Sequence, residues 1–184
     1  MADISCMRRI LIIGSSGAGK STFARGLGEA TGLKVIHLDR LYWRPRWTEP
    51  PKEEWKKIVA DALKGDSWIM DGNYGGTMEM RLAACDTVIF LDISRWLCVY
   101  RVIMRSTVYR KSARPDMADA CEERFDWDFI KWIWQYPVRS KPRVESLVSA
   151  VPPTTRVIRL SSRAEIKRFL SGISRNRFYA MAKR

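Results

Sequence analysis

Gly14-Ser15-Ser16-Gly17-Ala18-Gly19-Lys20-Ser21-Thr22 is the stretch on which the reading of this chain turns. Before it, Arg8-Arg9-Ile10-Leu11-Ile12-Ile13 has the apolar, β-branched character of a short buried strand. After it, Ser21-Thr22-Phe23-Ala24-Arg25-Gly26-Leu27 reads as the start of a helix. Strand, glycine-rich loop and helix together are the setting in which this spacing carries meaning. Gly14, Gly17 and Gly19 let the backbone wrap closely around phosphate oxygens, with N–H groups and the helix N-terminus aimed at negative charge. Lys20 can reach the terminal phosphates, and the Ser21 hydroxyl can ligate Mg²⁺. Residues 14–22 are therefore expected to bind ATP with Mg²⁺, and the flanking strand and helix disfavour a turn that binds nothing.

The chain has 184 residues, enough for one domain with a sizeable core. At 46% hydrophobic and 29% charged residues it has the composition of a soluble globular protein. No apolar run approaches a membrane span, and no signal peptide precedes Arg8, so a cytoplasmic protein without a membrane partner is expected. Cys6, Cys85, Cys98 and Cys121 are widely spaced, which suits reduced thiols, and the lone His37 cannot build a zinc site. The net charge of +13 suits polyanions, whether nucleotides or nucleic acid. Arg101 to Arg114 holds five basic residues and no acid, and Arg156 to the C-terminus holds nine against only Glu165. The competing reading of the basic tail, about residues 172–184, is a solvated surface.

Strand and helix alternate along the chain, which predicts an α/β fold with a mostly parallel sheet. Strands are expected at 10–13, 34–38, 67–70, 87–91 and 157–160. Helices are expected to about Ala30, over 53–64, from a Ser94 cap to about Tyr109, and over 163–170. An aromatic-rich helix after Phe125 is expected to be broken up by Pro137 and Pro142, and the last ten residues to be weakly ordered. Five strands with the loop after the first is the layout of a small phosphate-loop kinase. Ligands then sit outside the carboxyl ends of the strands, where Lys20, Asp39, Asp71 and Asp92 should converge.

Asp71 closes the third strand, opposite the phosphate loop, where a carboxylate can hold a Mg²⁺-bound water; its competing role is a turn aspartate before Gly72. Asp39 closes the second strand and faces the acceptor side. There it could take a proton from an attacking hydroxyl or accept a hydrogen bond from a sugar, whereas an acceptor phosphate needs no base. An ion pair with Arg40 or Arg44 is the plainer alternative. Arg101 and Arg105 share a helix face, and Arg110 and Arg114 extend the cluster into a lid-like segment at about 105–126. Arginines on a closing lid would stabilise the charge of phosphoryl transfer and exclude water. Trp43 and Trp47 follow Asp39 in an acceptor-binding segment at about 39–66 and could stack on a base or sugar, while the aromatics at 127–136 read as packing.

As a set, several blocks resemble the bacterial topology modulation proteins, also described as adenylate-kinase-like or FlaR-like. They are residues 12–22, His37-Leu38-Asp39, Trp68-Ile69-Met70-Asp71-Gly72-Asn73-Tyr74, Asp86-Thr87-Val88-Ile89-Phe90-Leu91-Asp92 and Arg114-Pro115-Asp116-Met117. The resemblance covers about residues 8–170. It implies a nucleoside-monophosphate-kinase type of fold: a five-stranded parallel sheet in the order 2-3-1-4-5, an acceptor region after strand two and a lid after strand four. Arg101 and Arg105 look like the paired arginines that begin the lid of adenylate kinases. Adenylate kinases continue Asp-Gly-Phe-Pro-Arg, where this chain has Asp71-Gly72-Asn73-Tyr74-Gly75, so the arginine that grips an acceptor phosphate is missing and Arg81 is the candidate substitute. The expected function is Mg·ATP-dependent phosphoryl transfer to a small acceptor, a nucleotide or a hydroxyl compound. The alternative, from the basic charge, is a nucleotide-regulated nucleic-acid-binding protein that influences DNA topology.

Overall fold

After its first residue, the strand that precedes the phosphate loop is buried throughout, because it lies at the centre of the sheet with both faces covered. The computed structural model describes residues 7–108 and 125–181, with side chains described as far as Ser174. The strands are β1 (Arg9–Gly14), β2 (Val35–His37), β3 (Trp68–Asp71), β4 (Thr87–Leu91) and β5 (Arg156–Leu160). All pair in parallel, in the order β2-β3-β1-β4-β5. The switch of direction on either side of β1 puts the crevice at its carboxyl end, directly above the phosphate loop.

The helices are α1 (Lys20–Thr31), α2 (Leu38–Tyr42), α3 (Lys52–Ala62), α4 (Met78–Ala84), α5 (Arg95–Val108), α6 (Trp127–Arg139), α7 (Lys141–Ser149) and α8 (Arg163–Met181). Alternate residues of β1 feed two cores. Ile10 and Ile12 pack with Phe23, Leu27, Cys98 and Ile133, whereas Leu11 and Ile13 pack with Trp55, Val59, Met78, Leu82 and Val148. Helices therefore cover both faces of the sheet.

Three local expectations are corrected. Asp39 does not close β2, which ends at His37; it lies in the first turn of the short helix α2. Pro137 does not break its helix, since α6 continues to Arg139. The break expected at Pro142 is present, because α6 ends at Arg139 and Pro142 stands in the first turn of α7, where its missing N–H costs nothing. The final helix does not stop near residue 170 but runs to Met181. Arg110, Arg114 and most of the expected lid lie outside the described residues. No helix among the described residues is long and apolar enough to cross a membrane.

Candidate active site

Gly17 has a left-handed backbone (φ +79°), and a Cβ there would collide with the Cys98 carbonyl of α5. The loop is thus pressed against the helix that carries the basic cluster. Arg101 of that helix donates from Nη1 to the carbonyls of Gly17 (3.2 Å) and Ala18 (3.1 Å). Lys20 folds back over the loop, with Nζ 3.0 Å from the Gly14 carbonyl and 3.1 Å from that of Ser15. Desolvation holds the Lys20 ammonium below its ordinary pKa, against the opposing pull of Asp39 and Asp71 and with a further push from Arg105. An ammonium desolvated in this way binds a phosphate at less cost than one drawn from bulk water.

Asp71 is buried at the end of β3 and held at both oxygens. Ser21 Oγ donates to Oδ2 at 2.8 Å, and His37 Nδ1 lies 2.6 Å from Oδ1. The pair expected to share Mg²⁺ is therefore assembled: a hydroxyl at the start of α1 and a carboxylate from the adjacent strand. One hydroxyl and one carboxylate fit an ion that keeps several waters and takes phosphate oxygens. His37, dismissed in the sequence for want of metal-binding partners, is instead the residue that orients this carboxylate. Its signal was its place at the last position of β2, in register with Asp71.

At the start of α2, Tyr74 donates its hydroxyl to Asp39 Oδ1 at 2.6 Å. Burial, then the Asp39 charge, raises the Tyr74 phenol well above its ordinary pKa, so it stays a donor. Tyr74 has a positive φ of 29°, a conformation that costs a non-glycine residue energy and must be held by its surroundings. Arg81 holds it. The expectation that Arg81 substitutes for the acceptor-gripping arginine is not met, because its guanidinium is fully buried and committed to backbone. It donates to the carbonyls of Thr77 (3.2 Å), Gly72 (2.8 Å), Asn73 and Tyr74 (2.9 Å). Burial lowers its pKa to about 10, so it is still a cation at neutral pH. The loop it braces also accepts, at Asn73 Oδ1, a hydrogen bond from the Gly14 N–H at 3.0 Å, which links the loop after β3 to the glycine-rich loop.

Trp43 and Trp47 stand half-buried, edge to face with ring centres 5.2 Å apart. They continue into Tyr42, Trp55 and Tyr74, whose rings lie 4.6–5.1 Å from one another. Sequence reading found the two tryptophans but not the tyrosines, which an aromatic next to an Asp-Gly turn could have suggested. Of the four residues expected to converge, Lys20, Asp39 and Asp71 do. The Asp92 carboxylate, just beyond β4, is paired with Lys141 (2.7 Å) and Arg159 (3.5 Å). Arg105 is half-buried on α5 and close enough to Lys20 to affect its charge. Arg163, not singled out in the sequence, stands close enough to Arg101 to repel it; burial first and this repulsion second lower the Arg101 pKa. Two such cations beside a phosphate loop favour an anion between them.

No protein-family model matches the chain. It is 24% identical over 131 residues to the uncharacterized protein YqaC of Bacillus subtilis (strain 168), a match spanning 70% of this chain and 72% of that protein. Among solved structures it is similar to shikimate kinase from Bacteroides thetaiotaomicron, with a TM-score of 0.58, 14% identity, and coverage of 92% of this chain and 98% of that one. It is also similar to shikimate kinase from Acinetobacter baumannii in complex with shikimate, with a TM-score of 0.55, 16% identity, and coverage of 94% and 96%. The likeness is one of fold, the α/β architecture of P-loop kinases.

Proposed function

We propose that this protein is a Mg·ATP-dependent phosphotransferase that passes the γ-phosphoryl group of ATP to a small acceptor bound beside Asp39. The observation that carries this reading is the meeting of the phosphate loop, the Ser21–Asp71 pair and the Asp39–Tyr74 pair at one end of the sheet. Lys20 and the loop N–H groups hold the β- and γ-phosphates. Arg101 and Arg105 offer positive charge from α5 where the transferred group becomes more negative. Ser21 and, through water, Asp71 would hold Mg²⁺, whose charge when bound neutralises the phosphate oxygens.

With Arg81 locked on backbone carbonyls, the described residues favour a hydroxyl acceptor over a phosphate one. In that case the acceptor oxygen forms a bond to the γ-phosphorus, and the bond from that phosphorus to the β–γ bridging oxygen breaks. ADP leaves with the electron pair, and the acceptor proton passes to Asp39 Oδ2, Oδ1 being held by Tyr74. The ring cluster around Trp43 and Trp47 suits a flat or ringed acceptor. The resemblance to the adenylate-kinase-like topology modulation proteins, and the neighbouring kinase structures, support this class of activity.

The test is ADP release from Mg·ATP against a panel of nucleoside monophosphates, nucleosides and small polyols, with Lys20→Ala as control. One acceptor class should stimulate turnover strongly, and Lys20→Ala should abolish it while leaving the circular dichroism spectrum intact. Full turnover by a folded Lys20→Ala protein would overturn the proposal.

A further inference from the structure

The helix that presses on the phosphate loop also carries an apolar face that, among the described residues, only α6 touches, at Trp96, and that otherwise stays largely exposed. On α5, Cys98, Val102 and Ser106 are buried against the core. At about 100° per residue, positions 96, 97, 100, 103, 104, 107 and 108 fall within an arc of about 140° on the opposite side. That arc holds Trp96, Leu97, Tyr100, Ile103, Met104, Thr107 and Val108, of which Leu97 packs against the core, and not one charge, in a chain where 29% of residues are charged. Trp96 is 68% exposed, Tyr100 58%, Met104 44% and Val108 69%. The outward side of a solvated helix is normally its polar side, so two opposed apolar faces mark a helix meant to be covered twice.

We infer that this face is a homodimer interface in which α5 packs antiparallel against α5 of a second copy. Two arguments single out a second copy as the occupant. The first is register. Trp96 and Val108, like Tyr100 and Met104, lie symmetrically about residue 102. A two-fold axis at that level sets Tyr100 against Met104 of the partner subunit at the middle of the face, with Trp96 and Val108 at its two ends about 18 Å apart along the helix. The stripe is thus complementary to itself. The second is area. Trp96, Tyr100, Ile103, Met104 and Val108 expose on the order of 500 Å² per copy, roughly 1,000 Å² for the pair, which reaches the lower bound of a specific interface. The surface extends onto α6, where Trp134 packs edge to face on Trp96 with ring centres 4.5 Å apart. Trp127 and Val138 of the same helix are exposed as well. Dimerisation at this face would fix the helix that carries Arg101, and it does not depend on which reaction the protein catalyses.

Light scattering on the full chain at micromolar concentration should give twice the 21.3 kDa chain mass. Tyr100→Glu, at an exposed position that folding does not need, should weaken self-association by at least about tenfold, and Met104→Lys likewise. Mixing these two proteins should restore the dimer, because residue 100 of one copy faces residue 104 of the other. A wild-type monomer at every concentration would overturn the inference, whether or not that monomer pellets with anionic lipid vesicles. A dimer indifferent to Tyr100→Glu would overturn the choice of surface. Two monomeric variants that fail to pair when mixed would overturn the antiparallel register.

Discussion

Replacing Arg81 separates a brace from an acceptor-binding residue. The guanidinium donates to four backbone carbonyls and faces no carboxylate among the described hydrogen bonds, so its worth lies in the shape of the loop from Gly72 to Thr77. A hydrogen bond to a charged donor contributes about 1.5–3 kcal/mol, and the cost of burying the cation offsets part of the four. Arg81→Met fills the volume but strands the carbonyls, which points to a loss of about 3–5 kcal/mol. Arg81→Lys keeps the charge but loses the planar fork and with it some of the four contacts, for about half that loss. With a urea slope of about 2 kcal/mol per molar, the midpoint should fall by about 1.5–2.5 M for Met and about 1 M for Lys, at unchanged slope. Both loop contacts, Tyr74 to Asp39 and Asn73 to Gly14, should loosen with it, so turnover should drop even in the folded Lys variant. The reasoning fails if Arg81→Lys unfolds at the wild-type urea concentration yet needs far more acceptor for half-saturation, because that pattern belongs to a residue that touches acceptor.

Gly17→Ala puts a Cβ into the Cys98 carbonyl at a left-handed φ, so isothermal titration should show ATP affinity reduced by at least about tenfold. His37→Leu should raise the Mg²⁺ concentration needed for half-maximal turnover several-fold, while His37→Asn, which keeps a donor near Asp71, should stay close to wild type. Burial raises the Cys85 thiol from 9.0 to about 11, so the folded state keeps the proton that the unfolded chain releases. Its contribution to stability is whole below pH 9 and is lost as pH rises through 11, at up to about 1.4 kcal/mol per pH unit. Chemical denaturation across that range should show this slope, and Cys85→Ala should flatten it.

The parts legible in the chain were those governed by local rules. A buried strand, a glycine-rich loop and a helix start announce themselves by periodicity and by residue types with few alternative uses, so β1, the loop at 14–22 and all five strand positions follow from reading along the chain. Pro137 misled because a proline inside a helix removes only its own bond to the carbonyl four residues back, here Ile133, and the rest of α6 carries the helix past it to Arg139. Asp39 was placed one element early because helix α2 is a single turn, shorter than any periodic signal.

What the tertiary structure alone decided is how long polar side chains spend their hydrogen bonds. Arg81, Arg101 and Arg159 are alike in sequence, each near an expected ligand end or a charged neighbour. Packing sends the first into backbone carbonyls, the second onto the phosphate loop and the third to Asp92 and Glu145. His37 gained its role only when β2 came to lie beside β3, and the exposed stripe of α5 became meaningful only once its other face was seen to be buried. Backbone pattern is local and survives reading in one dimension. The partner of a flexible charged side chain is whatever the fold brings within about 3 Å of it, and no spacing along the chain encodes that.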